Sequence, residues 1–170
     1  MGTMVTMRRV GVAFLMILST WVEASSFPDE AVLTVSGNIE GLNADPEDNS
    51  VRLDLPALQT LPQVRISTKT PWHDNVHVFE GPLLEDVLAF AGARGEQLQL
   101  TALNDYRITV DFGTLKDYRP ILAWQKDGQP MRVRDKGPLW LILPLDDHEV
   151  LQHSSYYDLM IWQLNRIDVE

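Results

Sequence analysis

Alternation of apolar and polar residues is the main pattern along this chain. Residues 31–39 (AVLTVSGNI) and 51–55 (VRLDL) alternate with a period of two, which is typical of a strand with one buried face. Residues 139–143 (LWLIL) form a short apolar run that indicates a fully buried strand. The same two patterns predict further strands at Gln63–Thr68, at residues 76–79, 97–103, 107–112, 121–125 and 130–133, and toward the end of 158–169.

Residues 82–91 (PLLEDVLAFA) instead have the spacing of an amphipathic helix. Pro82 is tolerated at the start of a helix, and the acidic side chains of Glu85 and Asp86 favour the first turn because they interact with the helix dipole. Gly92 follows the apolar positions and predicts the end of the helix. This is the clearest helix that the sequence predicts.

The remaining segments predict turns and short helical pieces. Residues 56–61 and the start of 158–169 each fit a single helical turn, 43–50 (NADPEDNS) reads as an acidic surface loop, and Asp127-Gly128 is a hairpin signal. Many short strands with one or two helices predict a single α+β domain, built mostly of antiparallel β sheet with a few short helices.

The N-terminal residues predict a signal peptide. Arg8 and Arg9 precede an apolar run of about nine residues, 10–18, which is too short to cross a bilayer as a helix. We therefore expect residues 1–24 to be removed during Sec export and residues 25–170 to form the mature domain. An uncleaved membrane anchor is the alternative, but the short run favours a chain without stable membrane insertion.

Composition narrows the classes of function. Removal of residues 1–24 takes the chain from 14 to 12 basic residues and from 24 to 23 acidic ones, so the net charge becomes −11. Such a charge makes nucleic acid an unfavourable partner. The chain contains no cysteine, which excludes disulfides, thiol nucleophiles and thiolate-ligated metals. Its stability must therefore come from a packed core.

Four sequence blocks occur in an order that resembles a known family. They are 81–88 (GPLLEDVL), the Asp127-Gly128 hairpin, 136–144 (KGPLWLILP) and 162–169 (WQLNRIDV). Together they are similar to the molybdopterin-binding domain of the sulfite oxidase fold. The resemblance covers most of residues 32–169 and implies that fold.

The resemblance departs from the family at the metal ligand. Catalytic members hold molybdenum through a cysteine thiolate a few residues before a comparable tryptophan, and here that register falls near Thr68, ahead of Trp72. A neutral hydroxyl is a poor ligand for such a site. We therefore expect neither molybdenum nor the family's oxidoreductase activity. The alternative is a molybdopterin-dependent oxidoreductase with an atypical, non-cysteine metal site.

Two further motifs, 68–72 (TKTPW) and 102–106 (ALNDY), resemble the small exported branch of this family. That branch includes periplasmic pterin-binding proteins, some of which regulate the periplasmic domain of a membrane-bound cyclic-di-GMP synthase or phosphodiesterase. The resemblance implies a periplasmic location, a reduced pterin or related pteridine as the ligand, and such a receptor as the partner. A structural module with a vestigial pocket remains a third possibility.

A pterin site needs an aromatic platform with hydrogen-bonding groups at the edge of the heterocycle. Trp72 follows Pro71 at a strand end, so its ring can stack on a ligand, although core packing is the alternative. Asp105 can accept two N–H groups from a pterin, although Asn-Asp is also common in turns. The candidate ligand-binding residues are Thr68, Thr70, Trp72, Asn104, Asp105, Tyr106, Gly137 and Pro138.

Three of these positions have a simple geometric rationale. Thr68 and Thr70 lie two residues apart, so they share one face of an extended strand. Gly137 before Pro138 lets the backbone approach a ligand closely and donate its N–H, or else serves only as a turn.

His73 and His77 would form a metal-binding pair on a helix, but the strand predicted at 76–79 would keep their imidazoles far apart.

Overall fold

A computed structural model describes residues 1–2 and 30–170. The predicted signal peptide, residues 1–24, lies outside the described residues apart from its first two. The strands are β1 (Leu33–Gly37), β2 (Val51–Leu53), β3 (Gln63–Thr68), β4 (His77–Pro82), β5 (Gln97–Ala102), β6 (Arg107–Asp111), β7 (Ile121–Ala123), β8 (Gln125–Lys126), β9 (Gln129–Pro130), β10 (Trp140–Ile142) and β11 (Leu164–Val169). The helices are α1 (Leu55–Thr60), α2 (Leu84–Ala91), α3 (Phe112–Leu115) and α4 (Ser154–Tyr157).

These strands form three sheets. The largest has the order β2-β1-β11-β5-β6, and within it only β1 and β11 run parallel. A four-stranded antiparallel sheet has the order β3-β4-β8-β9, and β7 pairs with β10 in a third, two-stranded sheet. The predicted class, α+β with mostly antiparallel sheet and few short helices, is confirmed.

One hydrophobic cluster connects the sheets and α2. It includes Phe79 of β4 and Trp140 of β10, both fully buried, whose rings meet edge-to-face with centroids 5.4 Å apart. Trp140 also satisfies its indole N–H by donating to the carbonyl of Met160 over 2.9 Å. The apolar run at 139–143 is fully buried in the core, as the sequence predicts, and it contains strand β10.

Helix α2 begins two residues later than the sequence predicts. Pro82 is the last residue of β4, where it pairs with Gln63, and Leu83 precedes the first helical residue. Gly92 ends the helix as predicted, because it adopts a left-handed conformation (φ 71°) that an L-residue rarely takes.

The predicted strand at 121–125 is interrupted at Trp124. The backbone there exchanges partners: β7 pairs with β10, whereas β8 pairs with β4. The N–H of Trp124 donates to Glu80, and its carbonyl accepts from Met131. One continuous apolar run therefore supplies strands to two sheets.

Gly81 shows how closely these two sheets approach. A methyl group on its α-carbon would lie 2.0 Å from the carbonyl oxygen of Leu122 in β7. Only glycine leaves room for this backbone contact. The Gly81-Pro82 pair at the end of β4 thus has a packing role, and it brings β4 close to β7, which pairs with the strand β10 that carries Trp140.

No helix among residues 1–2 and 30–170 is both long and apolar enough to cross a membrane.

Candidate functional site

A cleft of about 310 Å³ opens beside Trp72. Its walls come from three separate parts of the chain: the segment after β3, the end of β5 with the following turn, and the stretch from the end of α4 to the start of β11. The lining is predominantly apolar and aromatic with a few polar groups, which is the usual character of a small-molecule site. It is lined by Trp72, Ala102, Asn104, Tyr106, Tyr157, Asp158, Met160, Ile161 and Trp162.

Trp72 forms one wall with part of its ring in solvent. It lies just beyond β3 and is 37% exposed, whereas a core tryptophan such as Trp140 is fully buried. Its ring meets Trp162 edge-to-face at 5.1 Å and tilts against Trp140 at 5.7 Å. Packing on these two indoles fixes the orientation of Trp72, so its remaining surface is available to a ligand without further ordering.

The turn after β5 supplies the opposite rim. Its shape is set by an Asx turn, in which Asn104 Oδ1 accepts the Tyr106 N–H over 3.2 Å, and by the Ala102 N–H, which donates to the Tyr106 carbonyl over 2.9 Å. Asn104 and Tyr106, two of the candidate ligand-binding residues, line the cleft. Because the amide oxygen of Asn104 is used by the turn, its NH₂ group is the part available to a ligand.

Asp105, between them, is not brought to the cleft. It has a positive φ of 62°, which turns it away from its neighbours, and it lines a different, polar groove over the outer face of the five-stranded sheet. That groove also contains Arg107, Arg166 and Asp168. The carboxylate that does line the cleft is that of Asp158, at the end of α4.

Thr68 and Thr70 are also placed elsewhere. Both are buried, with 0% and 1% of their surface exposed. The Thr68 hydroxyl accepts the N–H of Asp146 over 3.3 Å, and the Lys69 N–H donates to the carboxylate of Asp146 over 2.8 Å. Thr70 Oγ1 is 2.7 Å from His73 Nδ1. Their hydroxyls thus tie the end of β3 to neighbouring segments, and neither residue lines the cleft.

Gly137 and Pro138 have a packing role that explains the glycine. The Gly137 N–H already donates to the carbonyl of Arg132 over 2.9 Å, so it is not free for a ligand. A methyl group at Gly137 would lie 2.1 Å from the carbonyl oxygen of Met131. Neither residue lines the cleft; they shape the turn that leads into β10, and the peptide between them is cis.

The prediction that His73 and His77 lie far apart is wrong. Their rings touch, with centroids 4.5 Å apart, because His73 lies in the turn before β4 and folds back over the first residue of that strand. His77 Nδ1 is 2.6 Å from Asp127 Oδ2. Within residues 30–170, no group of three or more His, Cys, Asp or Glu side chains is placed to hold a metal ion.

The neighbours of His73 determine its protonation. Lys126 Nζ lies 3.2 Å from His73 Nε2, and since an ammonium group only donates, Nε2 must be the unprotonated nitrogen. Nδ1 therefore carries the hydrogen and donates to Thr70. Burial and the positive charge of Lys126 both lower the pKa of His73 below its usual 6.5.

This arrangement predicts that the protein loses stability as the pH falls below about 6.5. In that range the unfolded state binds a proton at His73 more readily than the folded state does, so protonation favours unfolding until the lowered folded-state pKa is passed. Urea unfolding at a series of pH values measures the slope. In His73→Gln the slope should be shallower, whereas Lys116→Met, on the distant α3–β7 connection, should keep it. Identical slopes in His73→Gln and the unmodified protein would contradict the assignment.

Comparison with known proteins concerns the fold alone. No family model matches the sequence, and no curated protein matches it. Among solved structures the chain is similar to the sulfane dehydrogenase SoxCD from Paracoccus pantotrophus, a sulfite oxidase-family protein, with a TM-score of 0.57 and 13% sequence identity. The match covers 83% of this chain and 38% of that one. The chain has the sulfite oxidase fold. At this low identity the likeness carries no activity, substrate or partner.

The residues at the expected ligand position of the sulfite oxidase fold do not suit molybdenum. Thr68 offers a hydroxyl in place of a thiolate, and that hydroxyl is fully buried and already accepts the Asp146 N–H. Thr70, two residues further on, is hydrogen-bonded to His73. A molybdenum centre at the end of β3 would have to displace these contacts.

The most informative cleft residues missed by the sequence analysis are Asp158 and Trp162. The sequence predicts only a helical turn at Asp158, and it gives Trp162 only as the first residue of the block 162–169. The structure instead places both in the segment before β11. Gln163, the last residue of that segment, has a positive φ of 54° and is therefore not part of the strand. The position of Trp162 just before the alternating residues of β11 was the available signal that its side chain lies at a strand end. The sequence does not show which side chains it contacts there.

Proposed function

We propose that this protein binds a pterin in the cleft beside Trp72 and acts as an exported, periplasmic regulator instead of an enzyme. The observation that carries the proposal is the convergence of aromatic side chains with an amide and a carboxylate: Trp72, Asn104 and the pair Asp158 and Trp162 come from three segments and line one cleft. The motifs that resemble periplasmic pterin-binding proteins support it independently.

The chemistry of the cleft suits a flat, polar heterocycle. A volume of about 310 Å³ lies at the lower end of the range for small-molecule sites. A pterin ring would stack on the exposed part of Trp72. The carboxylate of Asp158 would accept the paired N–H groups of the pyrimidine edge, and the Asn104 amide would donate to the ring carbonyl.

The rim of the cleft suits a regulatory role. Leu103 and Tyr106 are large apolar side chains that are 46% and 53% exposed, and both flank Asn104 on the turn after β5. A ligand seated beside them would change the surface offered to a partner. We propose that this partner is the periplasmic domain of a membrane-bound cyclic-di-GMP synthase or phosphodiesterase, which would need to favour the liganded form by about 1–3 kcal/mol.

A molybdopterin-dependent oxidoreductase with a non-cysteine metal site is the second candidate, because the fold is shared with a dehydrogenase. Purification from the native periplasm, followed by mass spectrometry of released small molecules and molybdenum analysis, separates the two. Released pterin without stoichiometric molybdenum supports the regulator. One molybdenum per chain supports the enzyme.

A pair of acidic residues tests the position of the ligand. Asp158→Asn should weaken pterin binding by about tenfold or more, because a charge-assisted hydrogen bond is worth about 1.5–3 kcal/mol. Asp105→Asn is the matched control, since Asp105 lies in the separate polar groove, and it should leave the affinity unchanged. Fluorescence titration with a reduced pterin gives both dissociation constants. Loss of affinity in Asp105→Asn alone would place the ligand outside this cleft.

A further inference from the structure

The three tryptophans beside the cleft surround an ammonium group. Lys136 Nζ lies 3.8 Å from the ring centroid of Trp162, 5.4 Å from that of Trp140 and 5.5 Å from that of Trp72. The rings themselves are mutually tilted or edge-to-face, with centroids 5.1–6.3 Å apart. A cation within about 6 Å of a tryptophan centroid is attracted by the ring quadrupole, and this one reaches three rings at once.

The backbone holds Lys136 in this position. The residue adopts a left-handed conformation with φ 74°, and its carbonyl accepts the N–H of Gln163 over 3.0 Å. Gln163 directly follows Trp162, and its side-chain Nε2 donates a hydrogen bond to the carbonyl of Val133 over 2.8 Å. Two hydrogen bonds thus join the turn that carries the lysine to the segment that carries the platform tryptophan.

Lys136 also has an unusual electrostatic setting for a protein with a net charge of −10. Burial and the nearby ammonium of Lys126 lower the pKa of Lys136. Lys126 in turn donates to His73, next to Trp72. The ammonium groups of Lys136 and Lys126 therefore lie near the aromatic wall of the cleft, and Asp127 and Asp135 are acidic side chains close enough to Lys126 to interact with it.

We propose that Lys136 is a positioning and specificity-determining residue for the cleft: it holds Trp72 and Trp162 edge-to-face and makes the site favour anionic over neutral heterocycles. The inference rests on the proposed pterin site. Lys136 does not line the cleft, so it acts through the indoles and through its field. A pterin with an acidic substituent is the ligand class that this charge favours.

The proposal is tested with two probes and three variants. The probes are pterin, which is neutral, and 6-carboxypterin, which carries a negative charge. Lys136→Met removes the charge at similar length, Lys136→Arg keeps it, and Lys116→Met removes a surface lysine that pairs with Glu96. Dissociation constants for both probes, tryptophan emission and urea unfolding are measured for each.

In Lys136→Met we expect the preference for 6-carboxypterin over pterin to fall by about threefold, the order of the effect of one unit charge that is screened by water and not in direct contact with the ligand. The affinity for both probes should also fall by about two- to fivefold, because the tryptophans lose a cation–π contact. Tryptophan emission should shift as the ammonium leaves the Trp162 ring. Lys136→Arg should keep the preference, and Lys116→Met should resemble the unmodified protein.

Failure of this inference is distinguishable from failure of the proposed function. If the unmodified protein binds neither the probes nor the reduced pterin used in the titrations of Asp158→Asn, both are overturned, whereas binding of the reduced pterin alone overturns only the charge selection. If it binds both probes, and the folded Lys136→Met variant keeps the same preference and emission, only the role of Lys136 is overturned. A loss of affinity in Lys136→Met without a change in preference would overturn the charge selection and retain the positioning role.

Discussion

Trp72→Ala should weaken pterin binding by about tenfold or more while the domain stays folded. Stacking of a base-like ring on an aromatic side chain is worth about 1–3 kcal/mol. Trp72 is 37% exposed and packs on two other indoles, so its ring is already oriented for a ligand. Truncation removes the platform and leaves the sheets intact. Fluorescence titration with a reduced pterin measures the loss.

Two controls make this result specific. Trp72→Phe keeps an aromatic surface and should recover most of the affinity. Trp124→Phe removes an indole whose N–H donates to Gln63 over 2.8 Å, away from the cleft, and should change binding little. If Trp72→Ala binds as tightly as the unmodified protein, with an unchanged circular dichroism spectrum, the ligand site lies elsewhere.

Trp140→Ala should lower the free energy of unfolding by about 3–5 kcal/mol, the usual cost of removing a fully buried tryptophan. Trp140 is completely buried, and it contacts Phe79 of β4 as well as both tryptophans of the cleft. Its truncation leaves a cavity and also leaves the Met160 carbonyl without its donor. Urea unfolding measures the change.

Trp140→Phe is the matched control. It keeps most of the ring volume but removes the indole N–H, so its cost should be clearly smaller than that of Trp140→Ala. The pterin affinity of Trp140→Ala should also be reduced at temperatures where this variant is still folded. The reason is that Trp72 and Trp162 lose the ring against which they pack. Equal stability of the alanine variant and the unmodified protein would show that the ring is not part of the core.

Local patterns predicted most of the elements because each depends on a short stretch of chain. Strand β3 has the bounds that its alternation predicts, and Gly92 ends α2 because its missing side chain permits the left-handed conformation. The errors occur where tertiary pairing competes. Pro82 could have begun a helix, but pairing with Gln63 keeps it in β4. The run at 121–125 breaks because two sheets share it.

The candidate site was only partly predictable for the same reason. Trp72, Asn104 and Tyr106 line the cleft, since a tryptophan at a strand end and polar residues in a turn are locally exposed. Thr68 and Asp105 do not, because burial against Asp146 and a positive φ decide their directions.

By itself, the sequence determined the α+β class, most of the strands and the main helix, the absence of any thiolate chemistry, and a tryptophan at the end of β3, because periodicity and composition act over a few residues. Only the tertiary structure decided that Asp158 replaces Asp105 at the cleft, that His73 touches His77, and that Lys136 lies among three tryptophans. The contact of His73 with His77 depends on the direction of a single turn, whereas contacts such as that of Lys136 with Trp72 join residues that are distant in the sequence. Sheet register and packing set such contacts after the local elements have formed.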